Sequence, residues 1–452
     1  PRTAADPPVE GEAGAGERAI GGGAPWIFHI TNLALHVAVC NLVLVALWSL
    51  DGLRRRAALV TALLFAIHPL HTEAVAGLVG RADVLSALFV LLAWWLHRRG
   101  EGWATAAAPA CLLLGLLAKE SAIVALPLIA LVELRHDSHA SAAARRWRWL
   151  GYAAVLLVAL ALRAHALGAW QTPPPTSANP LLHATPTARR LTGLSLFARA
   201  LGLHLLPFDL SPDYGRAVIV PLDHVDATTL MGALLIIGCV VLAIRAWTRP
   251  GPLFDAVAFL VVPGLLACNL LVPLPVAFAE RWWYLPSLGA CVMLAVLLDF
   301  LALRLHPILP LAVLGLLLPL FTLVTFRRAG EWKDSETLFT SCLAQQPESA
   351  LCNYGLGAIR DAEARDDAAL TLYQQAEALD PGWAEPHAAA AAIFARHDRI
   401  AEAQAAFDKM RSAGGASAIG RLNYARFLLR TGRTSEGRRE LDSLHEGKSN
   451  EP

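Results

Sequence analysis

The sequence has 452 residues, 56% of them apolar and only 17% charged, well below the charged fraction of roughly a quarter that a soluble chain carries. A net charge of +1, with no face-sized cluster of Lys and Arg outside short loops, excludes an electrostatic nucleic-acid binder. Seven cysteines without a CxxC pair exclude a disulfide framework and a thiolate metal centre.

Residues 1–26, rich in Gly, Ala, Pro and Glu, read as a flexible polar stretch on the outer side of a membrane, the remnant of a longer N-terminal region and not a signal peptide. Apolar runs then follow at 27–48, 57–67, 84–97, 103–118, 121–134, 149–168, 228–246, 253–272, 286–303 and 308–326. A helix of about 20 residues crosses a bilayer core, so the shorter runs need flanking loop residues to complete a span. Residues 27–326 are thus expected to form a polytopic bundle of about ten helices, and residues 327–452, which hold no such run, a water-soluble domain.

Short loops rich in Arg and Lys resist translocation. Arg54, Arg55 and Arg56, then Arg98 and Arg99, then Arg135, Arg145, Arg146 and Arg148, then Arg245 and Arg249, then Arg304 mark alternate, cytoplasmic loops. The loops between them hold only Arg81, Lys119 and Arg281 and belong outside, with the C-terminal domain. Arg327, Arg328 and Lys333 oppose this count, but they precede a folded domain, where the rule weakens. Residues 169–227 read as one long outer loop, with an interfacial or re-entrant helix at 191–206 that carries Arg199 and His204, preceded by the extended connector QTPPPTSANP.

Beyond residue 326 the pattern becomes a 34-residue repeat. Asn353, Leu356, Gly357, Ala369, Tyr373, Ala376 and Pro381 take tetratricopeptide (TPR) positions, His387, Ala390, Ala391, Phe394, Ala403 and Phe407 recur in the next window, and Tyr424, Ala425, Leu428 and Leu441 form a degenerate third. Phe339 and Pro347 supply a half repeat upstream. The fold class is therefore all-α, a membrane helical bundle followed by a TPR α-solenoid whose paired helices bury their apolar faces against their neighbours. Cys342 and Cys352 lie here; an outer location permits a bond between them, though two isolated cysteines carry little weight.

Four polar clusters fall on the outer face. The sharpest is HPLHTEAVAGLVGRAD, with His68, His71, Glu73, Arg81 and Asp83 beside apolar helices; the others are Lys119-Glu120-Ser121, DLSPDY with Asp213, and AERWWYLPS with Glu280 and Arg281. Ionisable groups at a membrane boundary mark functional sites. Each cluster also has a structural reading: Asp83 as a helix cap, Gly77 and Gly80 as close-contact glycines, acid and base neighbours as ion pairs, and Trp282, Trp283 and Tyr284 as headgroup anchors. No zinc or calcium ligand spacing occurs; no cofactor is expected, and a divalent metal is left open.

HPLHTEAVAGLVGRADVLSALF resembles the signature of the transmembrane and tetratricopeptide repeat-containing (TMTC-type) O-mannosyltransferases, and AKES, NPL, LSPDY and AERWWYLPS are similar to its later blocks in order, from about Phe28 to the C-terminus. The resemblance implies a GT-C-type glycosyltransferase that takes a mannose-like sugar from a polyprenyl-phosphate donor and places it on Ser or Thr hydroxyls of an acceptor protein, met in the TPR groove, at the outer or lumenal face. For that chemistry the candidate catalytic carboxylates are Glu73 and Asp83, for acceptor orientation, base function or metal contact, and the planar forks of Arg81 and Arg281 make them the candidate donor-phosphate ligands, with His68, His71, Lys119, Glu120, Asp213 and Glu280 as further site candidates. Members of that family place a further helix and an acidic pair before the segment aligned with Trp26-Ile27-Phe28-His29, and the resemblance implies that the catalytic base belongs to that pair. In this chain Asp6, Glu10, Glu12 and Glu17 lack that pattern, as expected of a homologue without the first helix, and AKESAIV departs from the family's small residues after AKE. High Ala, Arg and Leu usage points to a bacterial inner-membrane protein with a periplasmic TPR domain, or a lumenal one in a eukaryote. The competing reading is a non-catalytic membrane-anchored TPR scaffold. A transporter would carry charges midway along its spans, where only Arg163 and a few His or Asn residues come close.

Overall fold

A computed structural model describes residues 25–50, 52–100, 102–135, 142–167, 179–215, 217–414 and 416–449. The acidic residues of the N-terminal stretch and most of the Pro-rich connector lie outside them. Among the described residues every regular element is helical.

Six helices are long and apolar enough to cross a membrane: Trp26–Trp48, Leu78–Arg99, Ala142–Ala166, Ala227–Ala246, Pro286–Arg304 and Ile308–Glu331. Helices suit hydrocarbon because each satisfies its own backbone groups. Lipid-facing stripes remain uncovered, as with Leu230, Leu234, Ile237 and Ile244 on one helix and Leu311, Leu316 and Phe326 on another. The protein is an integral, multi-pass membrane protein.

The remaining expected spans are shorter or broken. Arg55–Ala66 and Pro69–Ala76 meet at a bend of 50°, at a proline that has no N–H to continue the ladder. Ala104–Ala118 and Leu253–Ala267 have 15 residues each and Ala125–Arg135 has 11. The run expected to reach 272 stops early because Asn269 adopts φ 58° and closes a loop. Its amide donates to the Ala277 carbonyl (2.9 Å), and its oxygen accepts from Leu274 N–H (2.7 Å) and the Asn179 amide (3.0 Å).

The expected interfacial segment lies within one continuous helix, Pro186–Leu205. It packs so tightly along Ala227–Ala246 that a Cβ on Gly232 would fall 1.9 Å from the Leu194 carbonyl oxygen. Trp283 and Tyr284, which suit a headgroup belt by composition, are instead core residues, 0% and 1% exposed. At the basic end of the bundle, Asp255 takes Arg98 (3.3 Å) and Arg135 (3.2 Å), and Glu133 takes Arg148 (2.8 Å) and the Trp149 indole N–H (2.6 Å).

The last long helix runs to Glu331, and Ser335–Gln345 follows. Helix pairs then begin at Ala350, Ala384 and Ala418, their second members at Asp366, Ile400 and Thr434, each series stepping by 34 residues. Tyr373 lies against Gly357, and Phe407 packs on Tyr424 and Phe427. A disulfide joins Cys342 to Cys352, the pairing that two isolated cysteines did not establish by themselves.

Candidate active site

The bend after Ala66 turns residues 68–80 across one end of the bundle. Asn32, buried in the first helix, donates its amide to the Val75 and Gly77 carbonyls (3.2 Å each), while Gly80 sits so close to Ala74 that a Cβ would lie 2.3 Å from the Ala74 oxygen. These contacts hold the short helix Thr72–Ala76 with Glu73 pointing inward, 3% exposed.

Glu73 meets Arg281, carried on the 3-10 turn Glu280–Trp283. One carboxylate oxygen accepts the Arg281 backbone N–H (2.9 Å) and the other its guanidinium. The Nε of Arg281 lies 3.8 Å from Asp83, which in turn takes the Lys119 ammonium at 2.5 Å. Two acids and two bases therefore alternate as Glu73, Arg281, Asp83 and Lys119. Neither the second Asp83 oxygen nor Arg281 Nε is satisfied by a hydrogen bond, and the Arg281 side chain keeps 24% of its surface accessible. Burial opposes the Arg281 charge, but Glu73 and Asp83 outweigh it and raise the guanidinium above its ordinary value.

Glu280, the preceding residue, points the other way and is fully buried. Its Oε1 accepts Ser211 N–H (2.5 Å) and the Tyr214 hydroxyl (2.7 Å), and its Oε2 is 3.6 Å from Arg328. Burial pushes its carboxyl up to about 7 against the pull of Arg328. Asp213, on the same loop as Tyr214, accepts the Ser349 hydroxyl (2.6 Å). Burial raises this carboxyl too. Ser349 caps the first full repeat helix by accepting Cys352 N–H (3.0 Å), so Asp213 marks the junction with the repeats.

The histidines form a separate layer beneath. His68 Nδ1 accepts Leu70 N–H (3.3 Å), so its Nε2 carries the proton and donates to the His204 carbonyl (3.1 Å). Ser287 donates to the Tyr284 carbonyl (2.7 Å), leaving its oxygen to accept from His71 Nε2 (2.6 Å). His36 donates from Nε2 to the Ala66 carbonyl (3.0 Å) and accepts the Tyr284 hydroxyl at Nδ1 (2.7 Å). The Leu70 bond fixes His68 in one neutral tautomer, and the bonds of all three rings lock their packing.

Two singled-out residues stand apart. Arg81 donates to Asn32 (2.8 Å) and to the Phe28 carbonyl (3.2 Å) and lies over the Phe28 ring. Glu120 is exposed and pairs with Arg163, which accounts for the charge near mid-span. Asn32, His36 and Arg328 were not selected from sequence, although a polar residue inside an apolar run is a usable signal for the first two. Among the described residues no group of three or more His, Cys, Asp or Glu side chains converges in a way that could hold a metal ion.

Fold and site together define a polytopic helical membrane protein whose charged rim is joined to a helical repeat domain. No family model matches the chain. Among curated proteins it is 30% identical over 447 residues to the protein O-mannosyl-transferase Tmtc1 of Drosophila melanogaster, covering 78% of this chain and 52% of that protein. It is 29% identical over 409 residues to human protein O-mannosyl-transferase TMTC4 (78% and 55%) and 28% over 458 residues to Drosophila Tmtc3 (85% and 49%). The chain belongs to this TMTC-type family and spans about half the length of the curated relatives it matches.

Proposed function

We propose that the chain is a GT-C-type membrane glycosyltransferase that moves a mannose-like sugar from a polyprenyl-phosphate donor to Ser or Thr hydroxyls of a protein on the extracytoplasmic side of its membrane. The domain division at 1–26, 27–326 and 327–452 goes with this reading, the repeats presenting the acceptor to the bundle. One observation carries it: a part-accessible guanidinium, Arg281, held between two carboxylates at the bundle end that faces the repeats.

A sugar phosphodiester carries one negative charge, and its departure as a phosphomonoester raises that charge as the anomeric C–O bond breaks. Arg281 stabilises the developing charge through its planar fork, and Lys119 supports it through Asp83. The acceptor oxygen bonds to the anomeric carbon, and its proton passes to a carboxylate, with Glu73 and Asp83 as the bases within this cluster. Sugar transfer from a polyprenyl-phosphate mannose donor, measured in membranes with equal amounts of each variant, tests the reading. Arg281→Lys should lose most transfer, because an ammonium cannot reproduce the fork, and Arg281→Ala should lose more; full transfer by the Lys variant refutes the phosphate role.

The saturation of Glu73 by Arg281 favours a second reading, a non-catalytic scaffold in which this pair only holds the bundle together. On that reading Glu73→Gln lowers the amount of protein in the membrane, whereas on the enzymatic reading it lowers transfer per molecule.

A further inference from the structure

At the opposite end of the bundle from Glu73 and Arg281 lies a cleft of about 400 Å³, lined in part by Leu53, Arg54, Leu242, Arg245, Arg249 and Asp299. The Arg55–Ala66 helix starts beside this cleft and ends next to His68, so the two sites are separated by the length of the bundle. Its walls are built to hold shape. Gly52 (φ 77°) and Gly251 (φ 122°) approach so closely that a Cβ on Gly52 would lie 3.0 Å from the Gly251 Cα.

The loop bearing Arg249 is pinned from behind. Arg135, itself anchored on the buried Asp255 (3.2 Å), donates to the carbonyls of Trp247 (3.2 Å), Arg249 (2.7 Å) and Gly251 (3.2 Å). Asp299 is taken by Arg54 (3.4 Å) and by Arg56. Arg245 and Arg249 are exposed, and neither guanidinium has an acidic partner among the described residues. Among the described residues that line the cleft, three arginines stand against one acid, an excess of two positive charges.

The cleft also has an apolar wall. Leu242 and Val296 line it, and Val241 and Ile244 on the same helix as Leu242 face outward uncovered. Basic pockets between spanning helices suit phosphate headgroups, with the acyl chains along the apolar flank.

We propose that this cleft binds the phosphate of an anionic membrane phospholipid, with Arg245 and Arg249 as its ligands and Leu242 and Val296 against the chains. This site is independent of the transferase reading. The fixed loop holds the Arg249 backbone in position and the helix that of Arg245, so phosphate binding has only the two side chains left to order.

The test is native mass spectrometry of the full chain in detergent, titrated with phosphatidylglycerol or phosphatidylcholine. Wild type should retain one phosphatidylglycerol in preference to phosphatidylcholine. Arg245→Gln with Arg249→Gln should bind it about thirtyfold more weakly, the loss of two juxtamembrane arginines, at an unchanged thermal midpoint. Arg145→Gln with Arg146→Gln removes the same charge from exposed positions outside the cleft and should leave binding intact. Equal loss in both double variants would reduce the effect to general surface charge and overturn the site. Displacement of the lipid by millimolar inorganic phosphate would overturn the lipid assignment in favour of a soluble phosphate ligand.

Discussion

Glu280 and Arg281 are consecutive, yet their side chains enter different ion-pair networks: Glu280 lies 3.6 Å from Arg328 on the helix leading to the repeats, and Arg281 is bound to Glu73. A 3-10 turn produces this divergence, since neighbouring side chains on it point about 120° apart. The same turn thus joins the loop of Ser211 and Tyr214, through Glu280, to the backbone that carries Arg281.

The first prediction concerns pH. The Glu280 carboxyl is raised from 4.5 to about 7 in the folded protein, so between these values the folded state holds a proton that the unfolded state has released. Stability must then fall as pH rises through that window, by up to about 3 kcal/mol, and level off above it. Glu280→Gln keeps the acceptor for Ser211 and Tyr214 but cannot titrate. Thermal unfolding in detergent at pH 5 and pH 7.5 should show a larger drop for wild type than for the variant; equal drops would remove Glu280 as the source.

Backbone proximity sets a second prediction. Gly80→Ala places a methyl 2.3 Å from the Ala74 oxygen and 2.5 Å from its Cα, and overpacking of this kind costs about 1–3 kcal/mol. Gly202, inside the Pro186–Leu205 helix, has nothing within 4 Å of an added Cβ, so Gly202→Ala should stabilise by about 0.5–1 kcal/mol. Thermal midpoints in detergent should move in opposite directions.

The junction between bundle and repeats yields a third. Ser349→Ala removes both the cap of the Ala350–Ala362 helix and the bond to Asp213, while Asp213→Ala removes only the latter. Loss of the cap costs about 1 kcal/mol. Limited proteolysis should cut Ser349→Ala fastest around residues 345–350, Asp213→Ala more slowly, and wild type slowest; identical rates would show that the junction does not depend on this pair.

A fourth prediction addresses sidedness. The 68–80 segment and the start of the repeats share one end of the bundle, since Gly77 lies against the Trp332 ring and Asp213 bonds to Ser349. From the alternation of basic loops, that end is expected on the extracytoplasmic side. Reporter fusions after Gly80 and after Gly382 should both report that location, and a cytoplasmic signal from either would overturn the topology.

Much of this molecule is written in short-range pattern. Apolar run length gave the positions of the six long spanning helices, though it also marked four runs that form shorter or broken helices, and the 34-residue recurrence from Asn353 onward gave the repeat pairs, because helix formation and repeat stacking depend on residues close in the chain. The HPLHTEAVAGLVGRAD loop was likewise legible as a cluster of ionisable side chains beside apolar runs, and two of them, Glu73 and Asp83, do meet in one charged network. The left-handed Asn269 that ends a helix early was less legible, because it is enforced by partners elsewhere, Asn179 and Ala277 among them. Only the tertiary structure brought Glu73 to Arg281 across 208 residues, turned Glu280 inward and sent Arg81 to Asn32 and Phe28. Which acid takes which base depends on helix rotation and crossing geometry, and those follow from how the whole set of apolar faces packs.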